Sequence, residues 1–127
     1  PEVLVATDLG GLLEAHQLGD ARVRGDERVD LQLTEAGREG HVLLGRDGLE
    51  PGEGLLLRPA SAVHTYFMRF PIDVVFLDRA LVVLSITDGV DPWRATSRRG
   101  AKAVLELPAG ESSRRGLAVG DQLTLAA

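Results

Sequence analysis

Cysteine is absent from the 127 residues. That excludes disulfides, thiolate zinc sites, iron–sulfur clusters and a cysteine nucleophile, and leaves the redox compartment open. Asparagine is also missing, lysine occurs once, at Lys102, and isoleucine occurs only at Ile72 and Ile86. This skew follows from GC-rich codons more simply than from thermal adaptation, whose usual mark is more lysine. No apolar run approaches the ~18 residues of a membrane-spanning helix. The opening "PEVLVATD" lacks the basic region and long apolar stretch of a secretory signal. Cytoplasm is the default expectation, with a removed export signal left open.

Charge is unevenly spread. Residues 1–57 hold twelve acids and five bases, whereas residues 58–127 hold seven acids and nine bases, within a net charge of −5. Phosphate neutralisation supplies most nucleic-acid affinity, so a mildly acidic chain without a strong basic stripe is not expected to bind nucleic acid. The length suits one domain with a core that needs no staples.

The chain begins with an apolar alternation, "EVLVA". In "TDLGGLLEAHQLGD" that follows, Leu9, Leu12 and Leu13 recur at helical spacing behind Thr7 or Asp8 as an N-cap, so a helix is expected there. Gly25-Asp26 predicts a turn between a short strand near Val23 and another at Val29–Leu33. Thr34 is expected to cap a helical turn, and "DGLEPGEG" reads as a turn-rich loop on Pro51 and Gly52. Beyond it, "GLLLRP", "AVHTYFMRF", "IDVVFLD", "ALVVLSIT", "AVLEL" and "QLTLA" read as successive strands. One short helix is expected at Ser112–Leu117. The fold expected is mainly β, a compact β-sandwich or jelly-roll-like barrel with one or two short helices. Residues 1–28 are taken as an N-terminal extension packed on a single β-rich domain of residues 29–127.

Within "VHTYFMRFPIDVVFLD" stand His64, Arg69, Asp73 and Asp78, groups an apolar strand should exclude. In an extended strand His64, Tyr66 and Met68 share one face, and Val63, Thr65, Phe67 and Arg69 the other. His64 and Met68 then lie ~13 Å apart and cannot share a metal ion unless a bulge intervenes. His16, His41 and His64 each stand alone, and no metal site and no cofactor are expected. Pro71 forces a bend, bulge or edge, and Phe70–Pro71 is a place where a cis bond can occur. A bend there would bring Arg69 and Asp73 together. Either they fix the corner, as polar strand-end residues commonly do, or His64, Arg69 and Asp73 line a polar pocket. Downstream, "DPWRATSRRGAK" sets Trp93 beside Arg94, Arg98, Arg99 and Lys102 with no intervening acid. Such a loop could hold a phosphate or carboxylate with Trp93 as a stacking platform, or be a solvated loop whose tryptophan packs on a rim. No serine lies in a G-x-S-x-G elbow, although Ser61 or Ser97 could form a triad with His64 and Asp73 in space.

Three stretches, "LLGRDGLEPGEGLLLRP", "VHTYFMRFPIDVVFLD" and "AVLELPAGESSRRGLAVGDQL", together resemble the prokaryotic family called domain of unknown function 192. The resemblance runs from about Leu43 to Leu123. It rests on a "GEG" loop, an "F-M-R … P-I-D" centre and an "LELPAG … G-L-A-V-G-D" end, occurring in that order. Glu39 and Val42 stand where the family usually has arginine and glycine. The resemblance implies a compact β-sandwich or jelly-roll-like domain, assigns no activity, and places Met68, Arg69 and Asp73 on motif positions.

Three functions remain open. The first is a non-catalytic binding module whose pocket near His64, Arg69, Asp73 and Trp93 takes a small anionic or sugar-like ligand, with Arg94, Arg98, Arg99 and Lys102 as an anion-binding loop. The second is a structural or partner-docking protein without a pocket. The third is a hydrolase with His64 as base.

Overall fold

The computed structural model describes residues 2–6, 12–36, 48–66 and 68–125. Among the described residues, ten strands and one short helix follow in chain order. They are β1 (Glu2–Ala6), β2 (Leu12–Val23), β3 (Asp26–Ala36), β4 (Glu53–Leu57), β5 (Ala62–His64), β6 (Ile72–Leu77), β7 (Val83–Val90), β8 (Ala95–Ser97), β9 (Ala103–Pro108), α1 (Glu111–Arg114) and β10 (Leu123–Leu125). The main sheet runs β1-β2-β3-β4-β9-β6-β7, with β10 added to β2. Among the described strands only β3 and β4 pair in parallel; the other pairs are antiparallel. The sheet curls into a half-barrel, and β5 and β8 form a separate two-stranded ribbon. The fold is mainly β, as expected.

The central strands are apolar without alternation because both of their faces are covered. From β6, Val75 and Leu77 enter one apolar cluster with Leu31, Leu33, Leu56 and Leu105, inside the curl. Ile72, Val74 and Phe76 enter the other, with Leu55, Leu57, Val104, Val63, Met68 and Phe70. Gly54 of the "GEG" segment faces the first cluster. A Cβ there would stand 2.8 Å from Leu33 Cδ2 and 3.0 Å from Leu107 Cδ2, so only hydrogen fits.

The helix expected behind Thr7 or Asp8 is replaced, from Leu12 on, by the twelve-residue strand β2; residues 7–11 lie outside the described residues. Strand pairing overrides the helical spacing of the leucines here. β2 lies against β1, β3 and β10, with a register shift between Gln17 and Gly19. Thr34 caps no helix either. It lies within β3, opposite Leu55 of β4. The turn at Arg24 and Gly25 falls where Gly25-Asp26 predicts it, whereas the short helix begins one residue before Ser112 and ends at Arg114, three residues short of Leu117.

The expected long strand "AVHTYFMRF" is three residues of β5 followed by a turn, in which Met68 N–H donates to Thr65 O at 3.2 Å. The turn breaks the alternation. Met68 therefore packs with Val63 in the core instead of sharing a face with His64. The segment read as a loop around Trp93 contains β8, which pairs with β5. Phe67 lies outside the described residues. Among the described residues the cis peptide bond falls at Arg58–Pro59, not at Phe70–Pro71.

Candidate functional site

Two constructions involve the residues singled out by sequence. One is buried and mechanical. Asp73, on β6 and fully buried, receives N–H from Gly89 (2.9 Å) and Gly110 (3.0 Å) on Oδ1. Its Oδ2 receives the Ser112 N–H (3.0 Å) and the Ser112 hydroxyl (2.6 Å). Burial pushes this pKa up, but the Ser112 hydroxyl and the main-chain N–H groups of Gly89, Gly110 and Ser112 outweigh it and hold the carboxyl below its ordinary value. The carboxylate thus caps α1 from outside the helix, because Gly110 at the N-cap (φ 86°) has no side chain to do so. Four donors fill its acceptor sites and leave none to orient an imidazole.

The same corner is tied a second time. Glu111, also buried, accepts the Gly52 N–H and pairs with Arg114 (3.1 Å) and Arg115 (3.4 Å). Three separate sequence motifs therefore meet at α1: Gly52 of "GEG", Asp73 of "PID", and Gly110 to Ser112 of "PAGES". Ser112 and Glu111 did not stand out in the sequence. A serine and an acid beside a glycine read as ordinary helix-start chemistry, and their partners lie far away along the chain.

The second construction is exposed. The β5–β8 ribbon ends at His64 opposite Ala95, and there the chain presents three rings. His64 stacks on Tyr66 with centroids 4.6 Å apart, and Tyr66 stacks on Trp93 at 5.8 Å. Tyr66 is 40% and Trp93 57% exposed. Thr65, fully buried between them, holds the arrangement. Its N–H donates to Arg94 O (2.8 Å) and its carbonyl accepts the Trp93 N–H (3.0 Å). Its hydroxyl donates to Asp91 O (2.6 Å) and accepts the Arg94 N–H (2.9 Å). Trp93 is pinned at φ 66°, a left-handed conformation that is costly for a bulky side chain.

The structure thus brings His64 and Trp93 together through Tyr66 and Thr65, while Asp73 is engaged in the core with α1. Arg69 is exposed, between buried Met68 and Phe70. Arg94 adjoins Trp93, whereas Arg98, whose N–H donates to Ser61 O, lies at the other end of β8, and Arg99 follows it in the turn. Lys102 donates its N–H to Leu77 O and lines a separate cleft of about 330 Å³ with Arg58, Asp78 and Arg79 around Leu81. Asp78 closes a turn, accepting N–H from Ala80 (2.8 Å) and Val82 (3.0 Å). Among the described residues no group of three His, Asp or Glu side chains could hold a metal ion.

The family model of DUF192, described as "Uncharacterized ACR", matches residues 21–125. The chain belongs to the DUF192 family. The match begins in β2, well ahead of the first resembling motif. A UPF0127 protein, PYRAB11210, from Pyrococcus abyssi (strain GE5 / Orsay) is 34% identical over 80 residues, spanning 58% of this chain and 68% of that protein. Among solved structures, a protein of unknown function from Novosphingobium aromaticivorans DSM 12444 superposes with a TM-score of 0.72 at 20% identity, over 96% of this chain and 92% of that one. A second, from Sinorhizobium meliloti 1021 and described as a "putative transcription regulator", gives 0.69 at 21% identity, over 98% and 92%. At these identities the two structures show a shared fold. No helix among the described residues is long and apolar enough to cross a membrane.

Proposed function

We propose that this DUF192 domain is a small non-catalytic binding module whose recognition surface is the His64–Tyr66–Trp93 stack. Its ligand is a sugar-like ring bearing an anionic group, which lies on the indole of Trp93 with its charge toward Arg94. Arg69, exposed one residue past the turn that carries Tyr66, is taken as the second base of the proposed surface. The observation that carries this reading is Trp93 itself. A bulky residue held at positive φ by Thr65, with its ring more than half exposed, gains little packing in return for the strain. Backbone strain of this kind clusters at binding sites. The acidic balance of the chain and the absence of a continuous basic stripe argue against extending the Sinorhizobium protein's description to this one.

Trp93 is the only tryptophan, so its fluorescence reports the surface directly. Titration with uronic acids, neutral oligosaccharides and sugar phosphates is expected to give a saturable change with at least one of these classes. Calorimetry on Trp93→Ala is then expected to show affinity reduced roughly fivefold or more, from a stacking contribution of ~1–3 kcal/mol. No saturable signal from any class would remove the small-ligand reading. It would leave the docking alternative, for which exposed Tyr and Trp side chains are also apt anchors. The hydrolase reading loses its obvious third member, since Asp73 has no acceptor site left for His64.

A further inference from the structure

Glu106, in the middle of β9, is 1% exposed, and neither carboxyl oxygen has a hydrogen-bond partner among the described residues. Its register neighbours are Leu55 on β4 and Val74 on β6. Strand alternation puts it on the face of Val104, so it lies in the apolar layer where Leu55, Val74 and Val104 pack against Val63, Met68 and Phe70. The last three belong to the segment of residues 63–70 that also carries His64, Thr65 and Tyr66. A buried acid without a hydrogen-bond partner thus lies on the sheet face against which that segment packs.

We propose that Glu106 is a proton-controlled latch on the aromatic surface: as the neutral acid it lets residues 63–70 seat on the main sheet, and as the carboxylate it loosens them. The biological meaning of this rests on the surface being the binding site, as proposed above. A neutral carboxyl in an apolar layer costs far less than a charged one. Burial raises the pKa of Glu106 to about 8, so the charge appears within the mildly alkaline range. The strain is relieved on the weaker side of the layer. β4 and β6 are each hydrogen-bonded to strands on both sides, whereas β5 has three residues and one partner strand. No described group facing Glu106 can compensate it. Glu53, on the same face of β4, is another acid, its Oε1 accepting the Glu50 N–H. The same face of β6 supplies Ile72, Val74 and Phe76 until Asp78, which is engaged in its turn. Lys102, four residues back and just before β9, is ~13 Å away along the chain. On the covering segment Arg69 is exposed, and His64 accepts the Tyr66 N–H at Nδ1.

The test uses the full chain without ligand, comparing wild type with Glu106→Gln and Glu106→Leu. Acrylamide quenching of Trp93 is followed from about pH 6 to about pH 9, a range that brackets the Glu106 value. Wild type is expected to show quenching that rises with a midpoint near the Glu106 value, about 8. Either variant is expected to give a flat profile; if the glutamine variant fails to fold, the leucine variant decides. The same rise in a variant, or a flat wild-type profile, overturns the latch. Ligand titrations at about pH 6.5, where Glu106 is protonated in the wild type, separate the two ideas. Failure to bind there counts against the binding surface, and binding there with no pH dependence counts against the latch alone.

Discussion

Asp73→Asn changes one atom and one charge at the place where three motifs converge. The carboxylate is fully buried and accepts four hydrogen bonds, two from β7 and the N-cap glycine and two from Ser112. The amide keeps an oxygen for Gly89 and Gly110 but turns an NH2 toward the Ser112 N–H, so donor faces donor. An orphaned buried N–H costs about 1–3 kcal/mol, and losing the charge from the remaining bonds adds about 1 kcal/mol. The expected loss is therefore ~2–4 kcal/mol, or roughly 10 °C in Tm for a domain of this length. Urea unfolding followed by far-UV circular dichroism measures it. The pH dependence has a definite sign. The folded-state pKa of Asp73 is held below its ordinary 3.8, so its ionic stabilisation is complete above that value and lost as pH falls through the folded pKa. The gap between wild type and Asp73→Asn should accordingly narrow in acid. A variant within ~0.5 kcal/mol of wild type at neutral pH, or a gap that widens in acid, would refute the capping argument.

Glu106 carries the opposite sign. Its folded-state pKa is raised from 4.5 to about 8, so wild-type stability should fall between those values relative to Glu106→Gln and level off above them. The limit is ~5 kcal/mol, at ~1.4 kcal/mol per tenfold change in proton affinity. Denaturation midpoints across that range check the slope, and parallel curves for the two proteins would contradict it. Gly54→Ala should cost about 1–3 kcal/mol, because the new methyl meets Leu33 and Leu107 at 3.0 Å or less in a layer that has no slack. Chemical denaturation reads this directly. Trp93→Ala should change stability by under ~1 kcal/mol, since the residue is 57% exposed. A large loss on thermal melting would show that the indole serves packing instead of recognition.

Much of the fold follows from local chemistry that a sequence carries openly. "IDVVFL" and "AVLEL" are too apolar to be anything but strands covered on both faces, and they became β6 and β9 at the centre of the sheet. Glycine-led turns at Gly25 and Gly52 were readable because positive φ restricts the residues that can stand there. The motifs that mark the DUF192 family were equally plain. "LLEAHQLG" was misread because its leucine spacing serves a helix as well as a strand, and only pairing with three other strands decides between them.

What the tertiary structure alone decided is which distant groups meet. Asp73 and Ser112 lie 39 residues apart, and Thr65 and Arg94 lie 29 apart. Nothing within either local stretch encodes such a contact, because hydrogen bonds across a sheet depend on strand order and register. The break in extension at Thr65, which turns Met68 inward and leaves Tyr66 outside, likewise comes from bonds to the loop of Asp91 and Arg94. Residue types therefore determined which segments are strands and which positions are turns. Register and curl determined that one acid caps a helix, another is left alone in the core, and three rings are stacked in the open.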